Sequence, residues 1–184
     1  DFRRSRGLGD VYKRQNIKIS ENLIDAEAKA SKFFSSRWNE CKSNGYKSIN
    51  IVTLGIGGSF EGPKLLLESL NNPISSGELC LDEVKYKFIT GSDPNEFDQE
   101  IRQLKPANTY FIVSSKSFTT DETIENLKKA FEWSGNKSNF IAITANPDEV
   151  KKFGIKDVIF FDEEIGGRYS ICLLYTSPSP RDLL

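Results

Sequence analysis

"VTLGIGGSFEGPKLLLESL", residues 52–70, places a glycine-rich turn between an apolar run and an amphipathic run. The turn contains Gly55, Gly57, Gly58 and Gly62. Glycines let a backbone approach an anion and direct its N–H groups inward, and Ser59 adds a hydroxyl group. Pro63 favours the first turn of a helix, whose positive end would face the same anion. The stretch predicts a strand, a phosphate-binding turn and a helix. The alternative is a tight strand-to-helix turn without a ligand.

The rest of the chain alternates between short apolar runs and helical patterns. Strands are predicted at residues 48–54, 84–90, 109–114, 139–144 and 157–161. Helices are predicted at about 20–44, at 62–70, at 95–104, from about 120 to 133, and at 146–153. Short apolar strands separated by helices are typical of parallel pairing with right-handed crossovers. We therefore expect an α/β fold, with a doubly wound, five-stranded, mainly parallel sheet flanked by helices.

Two loops are expected at the point where the strand order of such a sheet reverses. In the common order 2-1-3-4-5, ligands bind outside the carboxyl ends of the first and third strands. Those strands are followed here by "GIGGS" (55–59) and "SSKSFTTDET" (114–123). The second loop offers hydroxyl groups and a cation from Ser115, Lys116, Ser117, Thr119 and Thr120. The spacing of Thr119 and Glu122 predicts a capping box at the start of the next helix.

The sequence matches two nucleotide-binding motifs only in part. Residues 57–64, "GGSFEGPK", have the glycine spacing of a P-loop, but Pro63 stands where the lysine is needed. Gly55 and Gly57 match the first two glycines of a dinucleotide-binding fingerprint, but Phe60 stands in place of the third glycine. The sequence therefore favours a small phosphorylated ligand over ATP or NAD.

Composition excludes several other classes of protein. The 184 residues carry a net charge of −1, which gives no case for nucleic-acid or membrane partners. No apolar run approaches the length of a membrane span. The chain has no histidine, and its three cysteines (Cys41, Cys80 and Cys172) are far apart, so neither a zinc or other imidazole-ligated site nor a disulfide framework is expected. We expect a soluble, cytoplasmic protein.

The two ends differ from the middle. Residues 1–15, "DFRRSRGLGDVYKRQ", are basic and lack periodicity, and the alternatives are a disordered arm or a nucleic-acid-binding tail. We favour a third interpretation, because this head and residues 172–184 resemble translated sequencing-adapter sequence. The domain is then expected at 16–171, with a leading helix. Since the sequence contains no methionine, we expect that it does not include its own start.

Three motifs carry a resemblance to a known family. "LGIGGSFEGP" (54–63) resembles the sugar-phosphate-binding signature of the glucose-6-phosphate isomerase family, and "SSKSFTTDET" is similar to its "SKTFTTxET". "GGRYS" (166–170) resembles the family's segment after the fifth strand. The resemblance implies the first of two sugar isomerase (SIS) domains, as a fragment. It also implies that the parent enzyme is a homodimer and uses no metal or organic cofactor.

The resemblance also implies roles for particular residues. Around the substrate's phosphate it places Gly58, Ser59, Ser115, Lys116, Ser117 and Thr120. Beside the sugar carbons it places Gly167 and Arg168, with Arg168 stabilising the charge of an enediolate. Ser117 stands where the family usually has threonine, which keeps the hydroxyl. Asp121 stands where glutamine is common, which places a negative charge near the anion site.

The family interconverts glucose 6-phosphate and fructose 6-phosphate through a cis-enediolate. By resemblance, the glutamate base, the ring-opening histidine and a late lysine come from segments beyond the point where this chain stops. We do not expect Glu122 to replace the base, because a capping-box glutamate is engaged with the backbone. The fragment alone is therefore expected to be inactive.

A non-catalytic sugar-phosphate-binding regulatory domain is the alternative from another functional class. Such a sensor needs the two phosphate loops but has no use for an arginine that faces an enediolate. The segment "GGRYS" (166–170) therefore favours the isomerase.

Overall fold

The structure, a computed structural model, describes residues 8–70, 84–91, 93–161 and 163. The first element is helix α1 (Leu8–Ser43), which precedes the sheet. In these described ranges, no helix combines the length and the apolar character needed to cross a membrane.

Within the described residues, five strands form one sheet. They are β1 (Ile49–Leu54), β2 (Val84–Ile89), β3 (Thr109–Ser114), β4 (Phe140–Thr144) and β5 (Asp157–Phe160). Their order is β2-β1-β3-β4-β5, and every pairing is parallel. The predicted doubly wound sheet and its strand order are confirmed.

Helices and short 3₁₀ turns connect the strands. The helices are α2 (Glu61–Leu70), α3 (Pro94–Ile101), α4 (Asp121–Ser134) and α5 (Pro147–Phe153). The 3₁₀ turns lie at Gly57–Ser59, Pro106–Asn108 and Lys137–Asn139. Parallel neighbours require such crossovers, because a short hairpin cannot return the chain to the same end of the sheet.

One face of the sheet forms the larger core with α3, α4 and α5. The strands contribute Val52, Leu54, Phe111, Val113, Phe140 and Ala142, and the helices contribute Phe97, Leu127 and Val150. The rings of Phe111 and Phe140 stack with their centroids 4.7 Å apart. Each fully buried side chain of this size contributes about 1.5–3 kcal/mol relative to exposure. The face anchors α4, whose first turn adjoins the predicted site.

The other face packs against α1. Its buried residues are Phe33, Cys41, Ile49, Tyr110 and Ile141. The Cys41 thiol and the Tyr110 hydroxyl are hydrogen-bonded, with 3.3 Å between Sγ and Oη. The crossovers after β2, β3 and β4 all run in the same direction across the sheet, so right-handed connections place their helices on the opposite face.

Two predicted helix boundaries differ from the structure. Helix α1 begins at Leu8 rather than near residue 20, because no proline interrupts the intervening segment and Lys13, Arg14 and Gln15 are good helix formers. Helix α3 ends at Ile101 rather than at 104. The assignment of 1–15 and 172–184 to foreign sequence stays a prediction, since residues 1–7 and 172–184 lie outside the described ranges.

Candidate functional site

The loops after β1 and β3 lie side by side at the carboxyl edge of the sheet. Leu54 and Val113, near the ends of the two strands, are register partners. A Cβ atom on Gly55 would lie 2.7 Å from the carbonyl oxygen of Ser114 and 3.0 Å from Cβ of Ser59. Only glycine therefore fits at position 55, since it lets the first loop fold back against the end of β3. The strand order predicted this juxtaposition, and the structure confirms it.

The first loop, which we call the glycine loop (55–60), is a tight 3₁₀ turn. The N–H of Ser59 donates to the carbonyl of Ile56 (3.1 Å), and the N–H of Phe60 donates to the carbonyl of Gly57 (2.9 Å). Gly57 has φ +53°, in the left-handed region that favours glycine. Among the described residues, no hydrogen bond outside the regular elements uses the N–H of Gly57 or Gly58. Such N–H groups at the start of a turn suit an anion.

The second loop, which we call the hydroxyl loop (115–120), is held by its own side chains. Ser115 is buried; its Oγ lies 3.3 Å from Oγ1 of Thr120 and accepts the N–H of Phe118 at 3.2 Å. Ser117 Oγ accepts the hydroxyl of Thr119 at 2.9 Å and its N–H at 3.3 Å. Two pairs of hydroxyl groups are thus fixed within six residues.

Lys116 is anchored through its backbone and leaves its side chain exposed. Its carbonyl oxygen accepts the N–H of Ala145 and the hydroxyl of Thr144, both at 3.0 Å. These bonds tie the hydroxyl loop to the end of β4. The ammonium group is therefore available to an anion at the loop, while the backbone that carries it is fixed.

Phe118 explains the shape of the hydroxyl loop, and the sequence did not predict its role. It has φ +55°, although it is not glycine, and it is only 1% exposed. Its ring packs edge-on against Phe153 of α5, with the centroids 5.7 Å apart. The left-handed conformation costs a bulky residue about 1–2 kcal/mol, and burial of the ring offsets that cost.

The predicted capping box is wrong. Helix α4 begins at Asp121, so Thr120 rather than Thr119 is its N-cap, and the Thr120 side chain makes no capping hydrogen bond. The Thr119 hydroxyl instead bonds Ser117, and Thr120 Oγ1 lies beside Ser115. No hydrogen bond of the Glu122 carboxylate occurs among the described residues. The start of α4 consequently has no side-chain cap there, and its N–H groups remain open to a ligand.

A third loop at this edge was missed by the sequence reasoning. The Glu96 carboxylate accepts the N–H groups of Thr90 and Gly91, at 3.1 and 2.8 Å, and the Asn126 amide donates to the carbonyl of Gly91 at 2.6 Å. Asp93 caps α3 three residues before Glu96. That spacing of Asp and Glu is a capping-box signature, and it could have indicated an ordered loop after β2.

The structure describes six of the eight residues predicted for the site, in two loops that follow neighbouring strands. Gly58 and Ser59 lie in the glycine loop, and Ser115, Lys116, Ser117 and Thr120 lie in the hydroxyl loop. Gly167 and Arg168 lie outside the described residues, as does the whole segment 166–170. Their placement beside a sugar therefore stays a prediction.

Two cavities of the structure lie elsewhere. One, of about 510 Å³, is lined by Phe34, Trp38 and Ile51 among others, and the second, of about 370 Å³, is lined by Lys32 and Lys156 among others. Both lie against α1, and neither includes a residue of the glycine or hydroxyl loop. Neither cavity therefore coincides with the phosphate site predicted at the carboxyl edge of the sheet. In the part of the chain that the structure describes, no three Cys, Asp or Glu side chains are grouped to hold a metal ion.

Comparison with known protein sequences gives one consistent family. Residues 18–175 match the family model described as phosphoglucose isomerase. The chain is 39% identical over 163 residues to a glucose-6-phosphate isomerase of Legionella pneumophila strain Lens, covering 85% of this chain and 31% of that protein. It is 38% identical over 173 residues to a glucose-6-phosphate isomerase of Coxiella burnetii strain Dugway 5J108-111, covering 87% and 30%. The chain thus spans about a third of the length of these relatives.

Comparison with solved structures gives the same fold. The crystal structure of a glucose-6-phosphate isomerase from Chlamydia trachomatis D/UW-3/Cx matches with a TM-score of 0.66 and 24% identity. The match covers 84% of this chain and 28% of that one. The expected sugar isomerase type of doubly wound fold is therefore confirmed.

Proposed function

The chain belongs to the phosphoglucose isomerase family, and from that premise we propose that it forms the phosphate-binding part of a glucose-6-phosphate isomerase. The observation that carries the proposal is the close approach of Gly55, the first residue of the glycine loop, to Ser114, the residue just before the hydroxyl loop, at the point where the strand order reverses. Ligands of doubly wound sheets bind at that point. Both loops present groups that donate hydrogen bonds, as an anionic ligand requires.

A phosphate dianion would be held by donors from both loops. The glycine loop offers the N–H groups of Gly57 and Gly58 and the hydroxyl of Ser59. The hydroxyl loop offers Ser115, Ser117 and Thr120, together with the Lys116 ammonium and the uncapped start of α4. Hydrogen bonds to a charged group contribute about 1.5–3 kcal/mol each, roughly twice the neutral value. The Asp121 carboxylate places a negative charge near the phosphate and opposes the attraction of Lys116. Binding therefore depends on the hydrogen-bond donors rather than on the net charge of the loops.

In the proposed reaction a proton leaves C2 of glucose 6-phosphate and returns at C1, with a cis-enediolate between the two steps. Gly167 and Arg168 would lie beside these carbons, and Arg168 would stabilise the developing negative charge by about 3–4 kcal/mol. The base and the ring-opening group come from other segments of the parent protein. We propose that this parent acts in the cytoplasm as a homodimer without a cofactor.

Ligand-dependent melting of the 184-residue chain tests the phosphate site. Glucose 6-phosphate and fructose 6-phosphate should both raise Tm, because a ligand at a hundred times its Kd stabilises the folded state by about 2.7 kcal/mol. Unphosphorylated glucose is the matched control and should leave Tm unchanged. Equal shifts with glucose and glucose 6-phosphate, or none with either, would contradict the proposal.

A coupled assay of fructose 6-phosphate formation tests the proposed division of labour. The chain should bind glucose 6-phosphate without converting it, because general acid–base groups supply about 10²–10⁴-fold each and at least two are assigned to other segments. Glu122 is the acidic residue to check, since it does not form the expected capping box. Turnover that is lost in Glu122→Gln would identify Glu122 as the base and overturn the assignment.

A further inference from the structure

Asn126 is a buried polar residue that the proposed chemistry does not use. It lies in the second turn of α4, is 1% exposed, and its amide donates to the carbonyl of Gly91 at 2.6 Å. Gly91 follows β2, whereas α4 follows the hydroxyl loop after β3. Because β1 lies between β2 and β3 in the sheet, this bond joins the two elements that flank the strand carrying the glycine loop.

The same peptide segment is held from its other side by Glu96. The carboxylate accepts the N–H groups of Thr90 and Gly91, and a Cβ atom on Gly91 would lie 2.6 Å from its Oε2. Glu96 thus fixes the N–H groups, and Asn126 binds the carbonyl. The end of β2 adjoins the glycine loop directly, since the N–H of Gly55 donates to the carbonyl of Ile89 at 3.4 Å.

We propose that Asn126 is a positioning residue, which fixes the N-terminus of α4 relative to the glycine loop through the carbonyl of Gly91. The inference rests on the proposed function, because the distance it sets is the one a phosphate would span between the two loops. In this view Asn126 does not touch the ligand. It acts through the placement of Thr120 and of the first N–H groups of α4.

The surroundings of Asn126 argue against a purely stabilising role. Its Oδ1 and the Thr123 Oγ1 one turn earlier are both buried, and neither has a hydrogen-bond partner among the described residues. Buried unpaired polar atoms lower stability, so an apolar pair at these positions would suit the core better. The asparagine at position 126 therefore orients α4 through its bond to Gly91, although its unpaired Oδ1 lowers the stability of the core.

The test compares Asn126→Ala with Asn139→Ala in the 184-residue chain. Asn139 is a matched control, since it is buried and its amide donates to the carbonyl of Pro106 at 3.2 Å, at the amino edge of the sheet. In Asn126→Ala, the amides of Gly91 and Ile124 should exchange with solvent about tenfold faster relative to Phe111 in the core, because their local support is lost. Asn139→Ala should leave these ratios unchanged.

Affinity gives the second measurement. Asn126→Ala should raise the Kd for glucose 6-phosphate about tenfold, and Asn139→Ala should change it by less than about twofold. Glu96→Gln should also weaken binding, and its effect should not add to that of Asn126→Ala, because both act through one peptide segment. If Asn126→Ala does not fold, the affinity of Glu96→Gln is measured instead. A weaker affinity supports positioning through the segment that Glu96 and Asn126 share, and an unchanged affinity contradicts it.

The outcomes separate this inference from the proposed function. If the unsubstituted chain binds no glucose 6-phosphate, the proposed function fails, and the exchange ratios alone decide whether Asn126 positions α4. Unchanged exchange at Gly91 and Ile124, or equal losses of affinity in Asn126→Ala and Asn139→Ala, would overturn the positioning role.

Discussion

The glycine loop and the hydroxyl loop occupy equivalent positions after neighbouring strands, but they are built in opposite ways. The glycine loop depends on missing side chains, because Gly55 lies too close to Ser114 for a Cβ atom and Gly57 has a left-handed backbone. The hydroxyl loop depends on side chains that are present. Ser115 bonds the backbone of its own loop, and Phe118 is buried in a conformation that its type disfavours.

This difference determines how each loop can fail. An added side chain disturbs the glycine loop by steric overlap, whereas a removed side chain disturbs the hydroxyl loop by leaving a cavity or an unpaired donor. The two loops should therefore respond to opposite kinds of substitution, with effects that can be ranked.

The largest effect is expected for Phe118→Ala. Loss of a buried phenyl ring should lower the free energy of unfolding by about 3–5 kcal/mol, measured by chemical denaturation. The same substitution at Phe160, which is 41% exposed, is the control and should cost less than half as much. Phe118→Gly sharpens the comparison, because glycine accepts φ +55° and should be no less stable than alanine there. A clearly less stable Phe118→Gly variant would show that backbone strain is not part of this loop.

A smaller loss of unfolding free energy is expected for Gly55→Ala, of about 2–3 kcal/mol, because the new Cβ atom would overlap the Ser114 carbonyl oxygen and Ser59. Gly57→Ala separates overlap from backbone strain, since a Cβ atom at 57 has no neighbour within 4 Å. At position 57 only the positive φ should destabilise the alanine variant, by about 1 kcal/mol. Equal costs at positions 55 and 57, measured in the same denaturant series, would contradict the close approach between β1 and β3.

The smallest effect is expected for Thr119→Ala, because Thr119 does not cap α4. The variant loses an exposed hydroxyl bond to Ser117 and should stay within about 0.5 kcal/mol of the unsubstituted chain. The stability of the variant is measured by thermal melting. If Thr119 capped the helix, its replacement by alanine would cost about 1 kcal/mol. A loss of that size would restore the capping box that the sequence predicted.

The sequence predicted those features that depend on local pattern. Glycine spacing identified the loop after β1, apolar runs between helical patterns predicted parallel strands, and the common order of doubly wound sheets placed the loops after β1 and β3 side by side. The same reasoning missed Phe118 and Asn126, since their roles depend on contacts with Phe153 and Gly91 that are distant along the chain. It also placed the N-cap one residue early, because Thr119 has a glutamate three residues later and Thr120 does not, whereas in the structure the Thr119 hydroxyl bonds Ser117 and Thr120 precedes the helix.

Amide chemical shifts of the 184-residue chain, followed during a titration with glucose 6-phosphate, test the central claim most directly. If the two loops form one phosphate site, the amides of Gly57, Gly58, Ser117 and Asp121 should all shift and should fit a single Kd. A parallel titration with glucose should leave them in place. Shifts confined to one loop, or two loops that saturate with different Kd values, would contradict a shared site.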